Sequence, residues 1–409
     1  MKPKNNPLFA AIFLIIVFCY VLFVFLLNKD VLTPTGYNHY NYLLSAFIHG
    51  RLDVVSPYSY DLSFYQERWF LYWGPAATLF IAPFYFFNKV QSSDIIYTAV
   101  AGLLNAGIFY LLMKEFSRFF RLKTKVLDKI IVFVSYALAS PNFYLSLAGR
   151  IWHTNQIVAV FYLLISLWLF FRFLNVKKTV YGILAAVFFN LAWMTRFTLA
   201  FYIPVFIGMA VLYLKDRNLI RKVILSFAVT GVFFAALFLT YNYLRFGSVF
   251  ETGYRYQKGA SRFDPYFKKN EMFSAKNIPY NFEYYFVRPA YFSVTRPHLV
   301  VDREGNSVFS IYPLTVLLIV FWKNIFYKDR RLRGFFWLSS LSVLLILAVL
   351  MMNVGTGWIQ LGNRYFFDVI PLVFLLAMGA IGNISPLLKL PVFIYSLAIN
   401  LCGAWVFYH

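Results

Sequence analysis

Long apolar segments, separated by short polar connections, run through the whole chain. Several of them exceed the roughly 18 uncharged residues that a membrane-crossing helix needs, for example 8–27 and 335–352. The pattern predicts an all-α polytopic membrane protein. The apolar segments lie at roughly 8–27, 72–87, 95–113, 130–147, 157–174, 180–194, 197–214, 223–244, 311–322, 334–352, 365–382 and 391–408.

The basic residues limit how many of these segments cross the bilayer. If all twelve crossed, the connection 114–129, with six Lys and Arg residues, would lie opposite the basic N-terminus. That arrangement contradicts the positive-inside rule. Segment 72–87 is short and contains Pro75 and Pro83, so we predict a re-entrant or interfacial segment there. We therefore expect about 11 transmembrane helices, with the N-terminus cytoplasmic and the C-terminus outside.

Two long connections then lie on the outer face of a single membrane domain that covers 1–409. The first outer loop is 28–94 and the second is 245–310. Apolar residues recur at helical spacing in the first loop, which predicts a short amphipathic helix on the bilayer surface. Those residues are Tyr40, Leu43, Leu44, Phe47 and Ile48.

Composition excludes several classes of function. Hydrophobic residues make up 61% of the chain and charged residues 13%, against roughly 45–50% and ~25% in soluble domains. The net charge of +22 lies mainly in short connections, so we expect membrane lipids and not nucleic acid as partners. Cys19 and Cys402 both lie in apolar segments, which argues against a disulfide or a metal site.

Nucleotide chemistry has no signature in the sequence. Neither a G-x-x-x-x-G-K-[ST] phosphate loop nor a G-x-G-x-x-G turn nor an H-E-x-x-H motif occurs. A nucleotide-sugar donor and ATP-driven transport are therefore disfavoured. Any donor substrate would already reside in the membrane.

Two carboxylates of the first outer loop are candidate general bases. Asp53 and Asp61 precede the apolar segment 72–87, where either could take a proton from an acceptor hydroxyl. The simpler interpretation is that both are solvated loop acids.

Asn38 and His39 stand where the predicted surface helix begins. Their functional interpretation is as hydrogen-bonding groups at the rim of a pocket between the first span and the acids. The structural interpretation is a helix cap for Asn38 and an interfacial position for His39.

Arg196 is the strongest single signal of a binding site. It lies between two apolar segments in a connection too short to be a true loop. A charge costs ~2.5–3.5 kcal/mol at mid-span and usually pairs with another group, which a lipid phosphate would provide. The alternative is that Arg196 reaches the outer headgroups. In the connection 148–156, Arg150 and His153 are candidates to contact an anion, and Trp152 to stack on a sugar.

The densest polar and aromatic cluster lies at 355–365. Its glycines allow close backbone approach, and Arg364 can bind a phosphate through two hydrogen bonds. Such a loop also occurs without any ligand. Asp368 follows Arg364 by one helical turn, a spacing that favours a pair between the two. The candidate sugar or acceptor contacts are Trp358, Gln360, Trp152, Asn38 and Tyr365.

Four motifs stand out: Asn38-His39 leading to Ala46-Phe47-Ile48-His49-Gly50-Arg51-Leu52-Asp53; Tyr72-Trp73-Gly74-Pro75; Asn242 through Phe246-Gly247-Ser248 to Thr252-Gly253-Tyr254; and Gly357-Trp358 through Gly362-Asn363-Arg364-Tyr365. With them the chain resembles the GT-C superfamily of membrane glycosyltransferases, which includes protein O-mannosyltransferases and aminoarabinose transferases. The order of one span, a large outer loop, many spans and a second large loop is similar too.

The resemblance implies a polyprenyl-phosphate-linked sugar donor, an active site on the outer face and a location in the bacterial cytoplasmic (inner) membrane. One departure concerns the base, since family members usually place an acidic residue, often Asp-Glu, soon after the first span. This chain has Asn38-His39 there, so an active enzyme would need His39, Asp53 or Asp61. A divalent metal, which prefers clustered carboxylates, also lacks support.

The leading hypothesis is a glycosyltransferase that moves a sugar from this donor to an acceptor at the outer face. The donor phosphate would lie near Arg196, Arg364, Arg150 and His153. One alternative is a lipid-linked glycan transporter or flippase, which would need charges at mid-span on several helices. The other is a non-catalytic lipid-binding homologue, which the missing Asp-Glu keeps open. The charges of this chain lie at the ends of its spans, which favours the enzyme.

Overall fold

A computed structural model describes residues 7–258, 266, 271–295, 298–328, 330–357 and 359–408, and these residues are mainly helical. The helices are α1 (Pro7–Leu27), α2 (His39–Ile48), α3 (Ala77–Asn88), α4 (Asp94–Phe119), α5 (Val126–Leu138), α6 (Pro141–Leu145), α7 (Ile151–Val176), α8 (Thr179–Thr195), α9 (Ile203–Tyr213), α10 (Arg217–Phe246), α11 (Ile278–Phe282), α12 (Val308–Ile311), α13 (Leu314–Val320), α14 (Lys323–Lys328), α15 (Arg330–Met352), α16 (Ile370–Ala380) and α17 (Pro386–Tyr408). Short 3-10 turns lie at Lys89–Gln91, Phe197–Tyr202, Tyr254–Tyr256, Ala275–Asn277, Arg364–Asp368 and Ile381–Asn383, with a π-helical turn at Glu283–Val287.

Within the described residues, seven helices are long and apolar enough to cross a membrane. They are α1, α4, α5 continued by α6, α7, α10, α15 and α17. Shorter apolar helices lie at Thr179–Thr195, Phe197–Tyr213 and Ile370–Asn383. The prediction of an all-α polytopic membrane protein is confirmed, whereas the number of eleven crossings remains a prediction.

Helix α3 occupies the segment for which we predicted no crossing. Its 12 residues extend about 18 Å at 1.5 Å per residue, which is short of the ~30 Å hydrocarbon core of a bilayer. Pro83 lies inside it. The length of α3 therefore agrees with its exclusion from the spans.

Helix α7 is the central helix of the bundle, and it begins earlier than the sequence suggested. In its apolar window 78% of the residues are buried, against 17% in α1 and in α10. We expected 148–156 to be a loop, but α7 starts at Ile151 and buries His153 and Thr154 in its first turn. The hydropathy pattern missed this turn because its side chains are polar; Thr154, for example, shares a hydrogen bond of 2.6 Å with Thr98 of α4.

Helix α2 forms as predicted, but its apolar face meets protein and not the bilayer. Tyr40, Leu43 and Leu44 are buried, since α2 packs on α3 and on the turn that follows it. The Tyr40 hydroxyl donates to the Gly74 carbonyl (3.2 Å) and accepts from the Asn155 amide (2.7 Å). Helical spacing reveals which face of a helix is apolar, but not what covers that face.

The two long loops meet through a small sheet. Strands β1 (Leu62–Tyr65) and β2 (Arg68–Phe70) form an antiparallel hairpin, and β3 (Gln257–Lys258) of the second loop pairs antiparallel with β1. Strands β4 (Tyr291–Phe292) and β5 (Leu299–Val300) pair separately. Both loops therefore lie at the same end of the bundle, which we call the loop face.

Two ion pairs join helices at the opposite end, and one of them is fully buried. Asp128 at the start of α5 pairs with Lys389 at the start of α17, and both side chains are 1% exposed. Glu115 near the end of α4 pairs with Arg172 near the end of α7 at 3.1 Å. The basic connections 114–129 and 172–179 thus share one end, which we call the basic end.

Candidate functional site

A polar cluster lies at the loop face where distant segments converge. Arg196 follows the last turn of α8, Arg364 and Asp368 delimit a 3-10 turn before α16, and Asp61 precedes β1. The second loop adds Gln257 on β3. The structure therefore brings two predicted cations and one predicted carboxylate into one cluster, although long stretches of sequence separate them.

Arg196 is held by a buried carboxylate. Its Nε lies 2.6 and 2.7 Å from the two oxygens of Asp368, and the two side chains are 10% and 0% exposed. Thr198 and Gln156 donate to the same carboxylate at 2.6 and 3.2 Å. We expected Asp368 to pair with Arg364, one turn away, and this was wrong because the Arg364 side chain turns to the Gly357 carbonyl.

The Arg196 Nη groups donate no hydrogen bond to any described residue, while its Nε is fixed by Asp368. The guanidinium is therefore oriented through Nε, and its terminal nitrogens have no acceptor among the described residues. A charge-assisted hydrogen bond to a phosphate oxygen would suit them.

Arg364 is a buried cation whose carboxylate partner is missing from the described part of the chain. Its Nε and Nη2 donate to the Gly357 carbonyl at 3.0 and 2.8 Å, and the residue is 6% exposed. No described carboxylate lies within ion-pair distance, and Nη1 is buried without a hydrogen-bond partner among these residues. Because an unpaired buried charge is costly, this geometry favours binding of an anion.

Tyr365 contacts both cations. The Arg196 guanidinium is 4.9 Å and the Arg364 guanidinium 4.6 Å from the centre of its ring. A ring face attracts a cation, so Tyr365 lets two positive groups approach one position. Because Asp368 neutralises Arg196, Arg364 supplies the positive charge that has no ion-pair partner among the described residues.

Asp61 has the environment expected of a general base. Burial raises the pKa of its carboxyl to about 6, and a hydrogen bond from Gln257 and the positive charge of Arg364 oppose this rise. The Gln257 amide donates to Asp61 at 3.1 Å and to the Tyr72 hydroxyl at 2.7 Å. The backbone of Asp61 has a φ of 60°, a strained conformation for a residue with a side chain.

His39, a candidate base from the sequence, is buried behind the peptide that precedes Asp61. It is fully buried, and one ring nitrogen, Nε2, lies 2.8 Å from the carbonyl oxygen of Tyr60, the residue before Asp61. Burial lowers the pKa of His39 to about 4. The ring is therefore neutral near pH 7, and its N–H can hold the peptide that carries Asp61.

The remaining first-loop candidates lie apart from the cluster. Asp53 is 3.7 Å from Arg51 and makes no contact with Asp61 or the two cations. Asn38 occupies the N-cap position of α2 but makes no capping hydrogen bond; its amide donates to the Val90 carbonyl at 3.0 Å. The cap interpretation of Asn38 is thus wrong.

Arg150 and Trp152 lie next to each other at the start of α7, among aromatic rings. The Arg150 guanidinium is 6.0 Å from the Trp152 ring and 5.6 Å from the Tyr408 ring. Trp152 meets Tyr37 edge-on at 5.0 Å. His153 is fully buried beside Tyr144, at 5.8 Å between ring centres, so it lines no open surface.

Gln360 braces the loop that carries Arg364. Its amide nitrogen donates to the carbonyls of Glu304 (2.8 Å) and Thr356 (3.0 Å), and its oxygen accepts from the Arg364 backbone (2.9 Å). These hydrogen bonds give Gln360 a supporting role in the loop, and its contact with a sugar remains a prediction. Trp358, the predicted stacking ring, lies outside the described residues.

Sequence reasoning missed several members of the site. Gln257 was not singled out, and Tyr72 and Tyr254, whose rings are 4.8 Å apart, were quoted only within motifs. Tyr254 lies close enough to Asp61, Arg196 and Arg364 for their charges to act on its hydroxyl group. The motifs Tyr72-Trp73-Gly74-Pro75 and Thr252-Gly253-Tyr254 were the available signal. In the described chain, no three His, Cys, Asp or Glu residues gather as metal ligands.

Known structures share this architecture. ArnT from Cupriavidus metallidurans bound to undecaprenyl phosphate matches with a TM-score of 0.51 and 15% identity, over 94% of this chain and 62% of that one. The Archaeoglobus fulgidus oligosaccharyltransferase in its apo form matches with a TM-score of 0.57 and 12% identity, over 100% and 57% of the two chains. The same enzyme tethered to an acceptor peptide with the NVT sequon gives 0.57 and 12%, over 99% and 55%.

This chain has the GT-C fold. The similarity to these two GT-C proteins confirms the fold expected from the four motifs. At such identities it establishes the fold alone, and the chain spans about three fifths of the length of these proteins. No family model and none of the curated proteins matches the chain.

Proposed function

We propose that the protein transfers a sugar from a polyprenyl-phosphate-linked donor to an acceptor at the loop face. The proposal rests on Arg364, a buried guanidinium that forms no ion pair with a carboxylate among the described residues. The phosphate of a membrane lipid would supply the missing negative charge. The likeness to a GT-C protein with bound undecaprenyl phosphate supports this choice of anion.

Asp61 is the base in this proposal. Its carboxylate accepts a proton from an acceptor hydroxyl, whose oxygen forms a bond to the anomeric carbon of the sugar. The bond from that carbon to the phosphate oxygen breaks, and the electron pair leaves with the polyprenyl phosphate. Arg364 and the Nη groups of Arg196 stabilise the charge that develops there. Arg150, His153 and Asp53 remain outside this assignment.

The flippase alternative gains no support from the ion pairs. Asp128–Lys389 and Glu115–Arg172 lie at the basic end and Arg196–Asp368 at the loop face. A transport path would place charged groups between these two levels. The positions of the ion pairs therefore favour chemistry at one face.

The proposal is tested by the lipid pools of cells that express the protein. Mass spectrometry would compare wild type with Asp61→Asn, using Asp53→Asn as the matched control in the same loop. We expect Asp61→Asn to accumulate a polyprenyl-phosphate sugar that wild type and Asp53→Asn consume. Equal pools in all three strains, at equal protein levels, would contradict the role of Asp61.

A further inference from the structure

Aromatic rings surround a further arginine at the loop face. The Trp152 ring meets Tyr37 edge-on at 5.0 Å between centres, and Tyr37 meets Tyr60 edge-on at 6.0 Å. The Arg150 guanidinium lies 6.0 Å from the Trp152 ring and 5.6 Å from the Tyr408 ring. We call this set the Arg150 surface, and its members are Arg150, Trp152, Tyr37, Tyr60 and Tyr408.

Arg150 is a cation whose charge is unmatched within the described residues. Its half-buried side chain forms no ion pair with them and donates no hydrogen bond to them. Asp94 lies against the neighbouring Gly149, where an added Cβ would be 2.4 Å from the Asp94 carboxyl carbon. The oxygens of Asp94 accept instead from the backbone N–H and the hydroxyl of Thr35, at 2.8 and 2.5 Å. The guanidinium is therefore suited to bind an external anion.

Thr35 joins the two segments that form the Arg150 surface. Its hydroxyl is also 2.6 Å from the Gly149 carbonyl oxygen, so the first loop is tied to the turn before α7. The Tyr37 backbone N–H donates to the Thr35 hydroxyl at 3.1 Å. These hydrogen bonds hold Tyr37 against Trp152 before any ligand binds, and a preformed surface lowers the entropy cost of binding.

The Arg150 surface adjoins the proposed base. Tyr60 is the residue before Asp61, and the Asp61 charge acts on the Tyr60 hydroxyl. Tyr60 is 40% exposed, and the nearby Tyr58 is 53% exposed. A molecule that covers Tyr60 therefore lies beside the residue that takes a proton from the acceptor in the proposed reaction.

We propose that the Arg150 surface binds the acceptor, and that the acceptor is a saccharide with a carboxylate or phosphate group. This rests on the proposed function, which needs an acceptor hydroxyl at Asp61. Aromatic rings pack against the apolar C–H face of a sugar, while a guanidinium binds a carboxylate or phosphate through two hydrogen bonds. A neutral saccharide would cover Arg150 without matching its charge, at a cost in desolvation. The sequence suggested Arg150 for the donor phosphate, and this assignment moves it to the acceptor.

The test measures binding of methyl glucuronide and methyl glucoside to the purified full chain by NMR titration. The two sugars differ in one carboxylate. Arg150→Gln removes the charge of the surface, Arg150→Lys keeps it, and Trp152→Leu removes a ring. Arg51→Gln is the matched control, because Arg51 is an exposed arginine of the first outer loop outside the Arg150 surface. Thermal unfolding of each variant checks that its fold is kept.

We expect wild type and Arg51→Gln to bind methyl glucuronide about tenfold more tightly than methyl glucoside. Arg150→Gln should lose this preference, Arg150→Lys should keep part of it, and Trp152→Leu should weaken the binding of both sugars. A preference that is absent in wild type or retained in Arg150→Gln would overturn the inference. Unchanged binding of methyl glucuronide to Trp152→Leu would do the same, since Arg150 would then bind anions such as phospholipid headgroups without recognising a sugar.

The proposed function has a separate measurement, the lipid pools described above. Equal pools in wild type and Asp61→Asn would overturn the proposed function and the acceptor role together. If wild type consumes the donor but shows no preference for methyl glucuronide, the Arg150 surface alone loses its role and the proposed function stands.

Discussion

Asp61 differs from the other first-loop candidate through its surroundings and not its position in the sequence. Asp53 pairs with Arg51 at 3.7 Å, whereas burial raises the pKa of Asp61 and an amide 196 residues away fixes its carboxylate. Nothing local in the sequence distinguishes the two acids. The choice of base therefore depends on the tertiary structure.

Transfer should depend on the ionisation of Asp61. Because burial raises its pKa to about 6, the carboxylate that acts as base predominates above that pH, and activity should rise as pH increases through about 6. Rates measured from pH 5 to 8 with a saturating donor would show this limb. Asp61→Asn should be inactive across the range. A limb that persists in Asp61→Asn would assign the titration to another group.

His39 should act through the Tyr60 peptide and not as a base. Its Nε2 lies 2.8 Å from the Tyr60 carbonyl oxygen, so His39→Leu removes a donor and His39→Gln keeps one. We expect His39→Leu to lower kcat with little change in KM and to shift the acidic limb of the pH profile. His39→Gln should restore most of both. Equal defects in the two variants would contradict a positioning role.

The Arg196–Asp368 pair shows what charge reasoning from sequence can and cannot supply. A lone arginine between apolar segments indicated a buried charge with a partner, and this is what the structure has. The partner lies 172 residues away, beyond the reach of helical spacing. The same spacing suggested the wrong pair, Arg364 with Asp368.

At the level of elements, hydropathy identified the long spans but misplaced an important boundary. The polar first turn of α7 reads as a loop, yet its Asn155 amide donates to Tyr40 of α2 and to the Thr195 carbonyl at the end of α8. Such turns form inside a bundle because neighbouring helices satisfy their polar groups. Sequence periodicity alone carries no information about those neighbours.

Packing of the start of α3 against the end of α8 should tolerate no added carbon. A Cβ at Gly74 would lie 1.8 Å from the Met194 carbonyl oxygen, so Gly74→Ala forces the backbones apart at a cost of about 1–3 kcal/mol. Thermal unfolding of the purified protein should show a lower Tm. Gly107→Ala on α4, where the nearest atoms are 3.8 Å away, should leave the Tm unchanged or raise it. Equal Tm values for both variants would contradict this packing.

For the whole molecule, the two ends of the helical bundle differ in what they carry. The loop face carries the site, and the basic end carries the buried pair of Asp128 and Lys389. Basic connections at one end agree with the positive-inside reasoning, while the direction in which the protein inserts remains a prediction.

The Asp128–Lys389 pair should contribute to the stability of the fold and not to the transfer reaction. Lys389→Met leaves a buried carboxylate without its partner and should cost about 3–5 kcal/mol. Asp128→Leu combined with Lys389→Met should recover most of that loss, because no charge remains buried. Unfolding measurements on the single and double variants test this. If the double variant is as unstable as the single one, the loss of stability in Lys389→Met does not come from an unpaired buried charge.

If a membrane lipid supplies the phosphate that pairs with Arg364, that lipid should co-purify with the protein. The most direct measurement is mass spectrometry of lipids that co-purify with wild type, with Arg364→Ala and with Arg333→Ala, an exposed arginine at the basic end. We predict a polyprenyl phosphate, free or sugar-linked, on wild type and Arg333→Ala, and a loss of roughly tenfold or more in Arg364→Ala. Bulk phospholipid alone, in equal amounts on all three proteins, would contradict the binding of a lipid phosphate by Arg364.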